Sequence, residues 1–163
     1  MGKQRGFSLI ELLIVVTIIL VISAIAIPNL MRSRIAANEA ATVANVRRIA
    51  SAEVSYAATF NSTAGLQGYS NDMPSLGGTS CVTPSSTSAC LIDNDLAQAI
   101  VPNKARSGFY YTYALSDARG FTLNADPATY GTTGLKHFYT DATQSIRYTN
   151  TDTPAGQNDP AVQ

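Results

Sequence analysis

The segment that decides the fold begins at Gly6 and reads GFSLIELLIVVTIILVISAIAIPNLM, ending at Met31. Glu11 is the only charged residue among these 26 residues. A helix that spans a bilayer needs about 20 apolar residues, so the segment is long enough to cross a membrane. Basic residues flank it on both sides, in MGKQR (1–5) and RSR (32–34), and local charge therefore leaves its orientation open.

A secretory signal peptide is the first alternative to a membrane-spanning helix, because it also combines a basic start with an apolar stretch. The apolar stretch of a signal peptide is about 7 to 15 residues long, whereas this one is longer and contains Glu11. Ala24 and Ala26 could still serve as a cleavage site of small residues. A lone carboxylate within the hydrocarbon usually marks a function with a partner, and a protonated or interfacial Glu11 is the other interpretation.

The residues GFSLIELLIVV that begin at Gly6 resemble the N-terminus of type IV prepilins, and the close match continues to about Arg34. This resemblance implies that a prepilin peptidase of the inner membrane removes a leader, residues 1–6, by cleavage after Gly6. It implies that Phe7 then becomes the N-methylated first residue. Glu11 matches the carboxylate that the family requires for filament assembly.

The positions of Phe7 and Glu11 also have a physical consequence. After cleavage, each subunit carries an ammonium group at Phe7 and a carboxylate at Glu11 in one apolar layer, where both are costly unless they pair. A pair between neighbouring subunits also sets their axial register, so we expect Glu11 to act in assembly. In the filament, helices of other copies then replace lipid around the apolar surface. The small residues Ser23, Ala24 and Ala26 allow these helices to approach one another closely. Ordinary packing of these residues against lipid is equally compatible with the sequence.

A single long helix is predicted over residues 7–60, which is about 80 Å if the helix is unbroken. Its first half, 7–31, is apolar all round and is predicted to project as a transmembrane or filament-core segment. Its second half, 32–60, is amphipathic and is predicted to pack on a sheet. The apolar stripe of this second half consists of Ile35, Val43, Val46, Ile49, Ala50, Val54, Ala57 and Phe60.

Pro28 is expected to kink this helix, because proline removes a backbone donor and clashes with the preceding turn. The resemblance implies loss of helical order before this proline, but many relatives have glycine where this chain has Leu20. The stretch after Phe60 contains Asn61, Ser62, Thr63 and Gly65, which favour a turn and end the helix.

Residues 61–107 are rich in Ser, Thr, Gly and Pro and are predicted to form an irregular loop. A short helix is expected over 95–102, capped by Asp93 or Asp95 and stopped by Pro102. Cys81 and Cys90 lie close together in an exported chain, which predicts a disulfide. Neither a CxxC spacing nor a nearby histidine supports a zinc or redox site. The family often closes a loop near the C-terminus with its disulfide, and this chain differs because its cysteines precede the sheet.

Residues 108–149 predict an antiparallel meander of four short strands, because apolar and polar residues alternate in four runs. These runs are 109–115, 121–125, 135–140 and 145–149. The tail, 150–163, has almost no large apolar residue and is predicted to be flexible. The fold class is therefore α+β, with a long N-terminal helix packed on a small antiparallel sheet of about four strands.

The length argues against a large multidomain enzyme, and no catalytic constellation is apparent in the sequence, so a non-enzymatic protein is expected. The 163 residues suit one ordinary domain, only 13% are charged, and the formal net charge is zero, so nucleic-acid binding through a basic face is not expected. The only histidine, His137, is predicted to lie on the surface of the sheet rather than to act as a general base.

Asp93 and Asp95 lack the pattern of a calcium loop and are interpreted as a cap or solvated residues. No metal or cofactor is expected, and Asn61 begins an N-glycosylation sequon in a stretch that could also carry O-glycans.

The sequence is therefore interpreted as a structural pilin, processed after Gly6, that moves from the inner membrane into a homopolymeric surface filament. A pseudopilin of a type II secretion system and a minor pilin share this N-terminus and remain alternatives. A membrane-anchored adhesion or DNA-uptake domain is the alternative from another class. The resemblance implies assembly ATPases, a platform protein and a secretin as partners. Such filaments serve adhesion, twitching motility, DNA uptake and secretion, and the sequence does not distinguish among these uses.

Overall fold

The computed structural model describes residues 7–60, 68–79, 81–116 and 120–162. Helix α1 comes first, and four strands follow in an antiparallel sheet of order β1-β2-β3-β4. This arrangement confirms the α+β class and the meander. Short helical segments lie between α1 and the sheet. The elements are α1 (Leu9–Phe60), a 3-10 turn (Met73–Leu76), α2 (Asn94–Ala97), a second 3-10 turn (Pro102–Lys104), β1 (Phe109–Ser116), β2 (Gly120–Pro127), β3 (His137–Asp141) and β4 (Arg147–Thr149).

The chain divides into two compact units, Met1–Arg34 and Ile35–Gln163. In the second unit, the part of α1 that begins at Ile35 packs on one face of the sheet, and both contribute to a single hydrophobic core. Residues from three strands supply the sheet's part of this core. They are Phe109, Tyr111, Phe121, Leu123, Ala125 and Phe138.

The buried stripe of α1 differs in part from the prediction. Val54 is exposed, whereas Thr42, Glu53 and Tyr56 are buried. The prediction followed apolar residues alone, but helical spacing from Val46 and Ile49 continues through positions 53 and 56 and not through 54. The buried residues of the helix are Ile35, Thr42, Val46, Ile49, Ala50, Ala52, Glu53 and Tyr56.

In the described part of the irregular region, a disulfide closes a short loop, and a hydrogen bond joins this loop to α1. Cys81 and Cys90 are bonded, in agreement with the prediction, and a bond across so short a loop stabilises by about 2 to 3 kcal/mol. The hydroxyl group of Tyr56 donates a hydrogen bond of 2.7 Å to the carbonyl oxygen of Ser86 inside this loop. The disulfide loop is therefore attached directly to α1.

Helix α2 is shorter than predicted. It ends at Ala97 instead of continuing to Pro102, and Pro102 begins a 3-10 turn instead of stopping a helix. The carbonyl oxygen of Ala99 accepts a hydrogen bond from the backbone nitrogen of Tyr111, so this stretch pairs with β1 instead of continuing the helix. Asp93 caps α2, as one of the two predicted caps, because its side chain accepts a hydrogen bond from the backbone nitrogen of Asp95.

The C-terminal segment, 150–163, was predicted to be flexible, which stays a prediction, and the structure places residues within 155–162 in hydrogen bonds with the sheet. The backbone nitrogen of Tyr148 donates to Pro160, and that of Val162 donates to Ile146, so the chain returns along the edge of β4. The side chain of Asn124 donates a hydrogen bond of 2.7 Å to the carbonyl oxygen of Ala155. The segment needs few apolar residues because backbone hydrogen bonds anchor it.

This segment also covers the outer face of the sheet, which we define as the face that carries Asn124, Asp126, His137 and Tyr139. These residues alternate with core residues along β2 and β3, so they lie on the side away from α1. His137 and Tyr139 are nevertheless buried. The prediction that His137 lies on the surface is therefore wrong, and the reason is the returning C-terminal segment.

Glu53 is a fully buried carboxylate in α1. Its Oε2 accepts a hydrogen bond of 2.9 Å from the backbone nitrogen of Ser70, and its Oε1 accepts one from the Ser70 hydroxyl group. The hydroxyl group of Tyr113 donates to the carbonyl oxygen of Ser70 at 2.9 Å. Burial raises the pKa of Glu53 above its ordinary value of 4.5, although the bonds from Ser70 act in the opposite direction.

This raised pKa predicts how the stability depends on pH. The folded chain holds the proton of Glu53 more tightly than the unfolded chain does, so the free energy of unfolding falls as pH rises between the unfolded and folded pKa values. Glu53→Gln keeps an acceptor for the Ser70 nitrogen and removes this titration. We expect the variant to be more stable than the wild type above that range and to lose this decline.

Denaturant titrations of the full chain in detergent at several pH values measure this effect. Asp95→Asn, an exposed substitution on α2, is the control and should keep the wild-type dependence. An equal decline with pH in the Gln variant and the wild type would contradict the role of Glu53.

Candidate functional site

The candidate site is the start of α1, where the resemblance places processing and assembly. Phe7 is exposed and precedes the helix, which begins at Leu9. Glu11 lies in the first turn, and its Oε2 accepts a hydrogen bond of 3.0 Å from the backbone nitrogen of Ser8. Gly6, on the other side of the expected cleavage point, lies outside the described residues.

The role of Ser8 as a helix cap was not predicted, although the sequence contains a signal for it. Ser8 and Glu11 have the S-x-x-E spacing of a capping box, in which the third residue of the helix accepts a hydrogen bond from the backbone of the cap. The negative charge of Glu11 also lies at the positive end of the helix dipole. Glu11 therefore has a partner within its own chain.

The apolar surface of α1 is exposed from Leu9 to Met31. The large apolar side chains from Leu9 to Met31 keep between 46% and 80% of their surface accessible. The helix contains a window of 18 residues that is long and apolar enough to cross a membrane, and no part of this window is buried. A surface of this kind requires lipid or other apolar helices around it.

Pro28 lies inside α1, and the backbone on both sides of it is helical. The helix therefore continues through the proline, and the predicted kink stays a prediction. Thr17 lies in the same apolar stretch and directs its hydroxyl group to the carbonyl oxygen of Leu13 at 2.7 Å. This bond satisfies the hydroxyl group within the helix.

The acidic residues considered for calcium have a different partner. Arg106 lies 3.0 Å from a carboxylate oxygen of Asp93 and 3.6 Å from one of Asp95. A guanidinium group between two carboxylates takes the place that a cation would need. In the described ranges, no group of three or more His, Cys, Asp or Glu side chains could hold a metal ion. The sequon at Asn61 lies outside those ranges.

Comparison with known proteins bears on the N-terminal part of the chain. A family model described as the prokaryotic N-terminal methylation motif matches residues 1–27. Neither a curated protein nor a solved structure matches the chain. The matched residues include Gly6, Phe7 and Glu11 and most of the apolar stretch. The chain thus carries the type IV pilin and prepilin signature at its N-terminus, and this motif with the apolar helix fits a type IV pilin-like or pseudopilin protein.

Proposed function

We propose that this chain is the structural subunit of a type IV pilus. Cleavage after Gly6 and methylation of Phe7 prepare it, and it leaves the inner membrane to join a surface filament of identical subunits. The observation that carries this proposal is that the methylation motif covers most of the exposed apolar half of α1. Lipid covers this surface before assembly, and helices of sister subunits cover it afterwards.

Glu11 is the proposed assembly residue. Before cleavage, the nitrogen of Phe7 is an uncharged amide, and Glu11 has the backbone of Ser8 as its partner. Cleavage creates an ammonium group at Phe7, which attracts a carboxylate in the same apolar layer of a neighbour. A pair of opposite charges in an apolar medium favours one axial register over others.

Pilin-type proteins are structural rather than enzymatic, and we propose the same for this chain. The motif implies processing by a prepilin peptidase. Assembly ATPases, a platform protein and a secretin are the proposed further partners, and the proposed uses of the filament include adhesion and twitching motility. The Asp93–Arg106 ion pair gives no support to a calcium loop of the kind that major pseudopilins carry.

The test is the chemical state of the protein sheared from the cell surface. We expect filaments whose subunits begin at N-methylated Phe7, identified by electron microscopy and by mass spectrometry of the N-terminal peptide. A processed chain that remains in the periplasm or inner membrane would favour the pseudopilin. A chain that keeps Met1 and stays monomeric in detergent would overturn the proposal and favour a membrane-anchored binding domain.

A further inference from the structure

The outer face of the sheet holds the only histidine of the chain between two carboxylates. His137 begins β3, and its Nδ1 lies 2.6 Å from Oδ1 of Asp126 on β2. Its Nε2 lies 3.6 Å from Oδ1 of Asp152, in the segment that returns after β4. The side chains of His137 and Asp126 are both buried, whereas that of Asp152 is 69% exposed. Each ring nitrogen therefore faces a carboxylate.

The aromatic groups next to His137 are uncharged. Its charged neighbours on the outer face are therefore the carboxylates of Asp126 and Asp152. The ring of Tyr130 stacks on the imidazole with centroids 5.8 Å apart, and its hydroxyl group donates to the carbonyl oxygen of Asn150. Tyr110 pairs with Asp126 in the sheet, and burial, with a further contribution from Asp126, raises the pKa of Tyr110, which keeps it neutral.

The remaining charges near β3 have other partners. Lys136, the residue before His137, forms an ion pair of 3.2 Å with Glu39 on α1. Asp141, at the far end of β3, accepts hydrogen bonds from Tyr139 and from the turn that follows the strand. Arg147 donates to the carbonyl oxygen of Asp159.

The geometry matches a doubly protonated ring better than a neutral one. A neutral imidazole has one N–H and one lone pair. If Nδ1 donates to Asp126, the lone pair on Nε2 faces the carboxylate of Asp152, and Nε2 is buried without a hydrogen-bond partner among the described residues. An imidazolium ring directs an N–H towards each carboxylate.

We propose that His137 is a pH-dependent latch for the C-terminal segment. In its protonated form it bridges Asp126 and Asp152 and holds residues 150–153 on the outer face. Loss of the proton removes the attraction to Asp152 and leaves a lone pair facing a carboxylate, so this stretch loosens as pH rises. Free imidazole side chains change charge between about pH 5 and 8, so the two ends of this range are the conditions to compare.

The opening is confined to a short stretch. Ala155 stays bound to Asn124, and Asp159 stays bound to Arg147, and neither contact involves His137. Within residues 149–153, the backbone nitrogens of Thr151 and Thr153 donate to groups of the same stretch, and the carbonyl oxygen of Asn150 accepts from Tyr130. The amide groups of this stretch therefore report the latch without unfolding of the sheet.

The experiment uses the full chain in detergent micelles, with hydrogen exchange at residues 150–153 at about pH 5.5 and pH 8, corrected for the intrinsic effect of pH. Because Asp152 is largely exposed, we expect protection to fall about threefold between the lower and the higher pH. Asp152→Asn should remove this difference. Asp95→Asn, which removes an exposed charge on α2 (side chain 82% exposed), should keep it.

Labelling with ¹⁵N-histidine gives a second readout, because His137 is the only histidine in the chain. We expect protons on both ring nitrogens at the lower pH. At the higher pH we expect one of these protons to be lost together with the protection of residues 150–153. Equal protection at both pH values, or a pH response that persists in Asp152→Asn, would overturn the proposal. So would protection that depends on added zinc and disappears with a chelator, since a metal would then join the two side chains. None of these results depends on filament formation.

Discussion

Glu11→Ala is expected to leave the chain in the inner membrane and to abolish surface filaments. The substitution removes the only charge from the apolar stretch, so membrane insertion becomes easier. In the proposed filament it leaves the ammonium group of a neighbouring Phe7 without a partner. Breaking a buried ion pair from one side costs about 3 to 5 kcal/mol, and this cost recurs at every subunit. Fractionation of cells and electron microscopy of sheared material measure the two effects.

A second substitution separates the two roles of Glu11. Glu11→Gln keeps an acceptor for the backbone nitrogen of Ser8 but removes the charge, so it should preserve the helix cap and still impair assembly. Thr17→Ala is the matched control, because Thr17 lies in the same stretch and bonds only within its own helix in the structure. Abundant normal filaments from the alanine variant would refute the assembly role.

Phe109→Ala is expected to destabilise the second unit by about 3 to 5 kcal/mol. The Phe109 ring is fully buried, and its centroid lies 5.9 Å from that of Phe138. It also packs so closely on Gly134 that a Cβ atom there would overlap it. Removal of the ring opens a cavity between β1, β3 and the connection before β3, which rigid neighbours fill only in part.

Denaturant unfolding of the full chain in detergent, followed by the tyrosine signal of the sheet, measures this loss. Val82→Ala is the control, because Val82 is 86% exposed in the disulfide loop, and its truncation should change the stability little. A loss below about 1 kcal/mol for Phe109→Ala would show that the core collapses around the missing ring.

The long helix and the meander were predictable because each depends on local pattern. The apolar stretch after Phe7 and the Ala-rich stretch up to Phe60 favour helix on both sides of Pro28. Alternation along β1 and β2 places Tyr111 and Leu123 on one face, as a half-buried strand requires. At the candidate site, Glu11 was recognisable as the only charge in a long apolar run.

The parts that were not predictable depend on contacts between distant residues. The returning segment near Ala155 covers the outer face, and this one arrangement accounts both for its anchoring and for the burial of His137. Nothing in a stretch of Thr, Asp and Gly shows which face it will cover. Glu53 is similar, because a carboxylate in an amphipathic helix indicates solvent until its partner, Ser70, is known.

The backbone hydrogen bonds of Tyr148 and Val162 have a practical consequence for handling this protein. These bonds place residues 160–162 beside β4, where this stretch shields a row of peptide groups that another strand could otherwise join. Truncating the chain before Ala155 would strip away that shield and encourage copies to aggregate edge to edge.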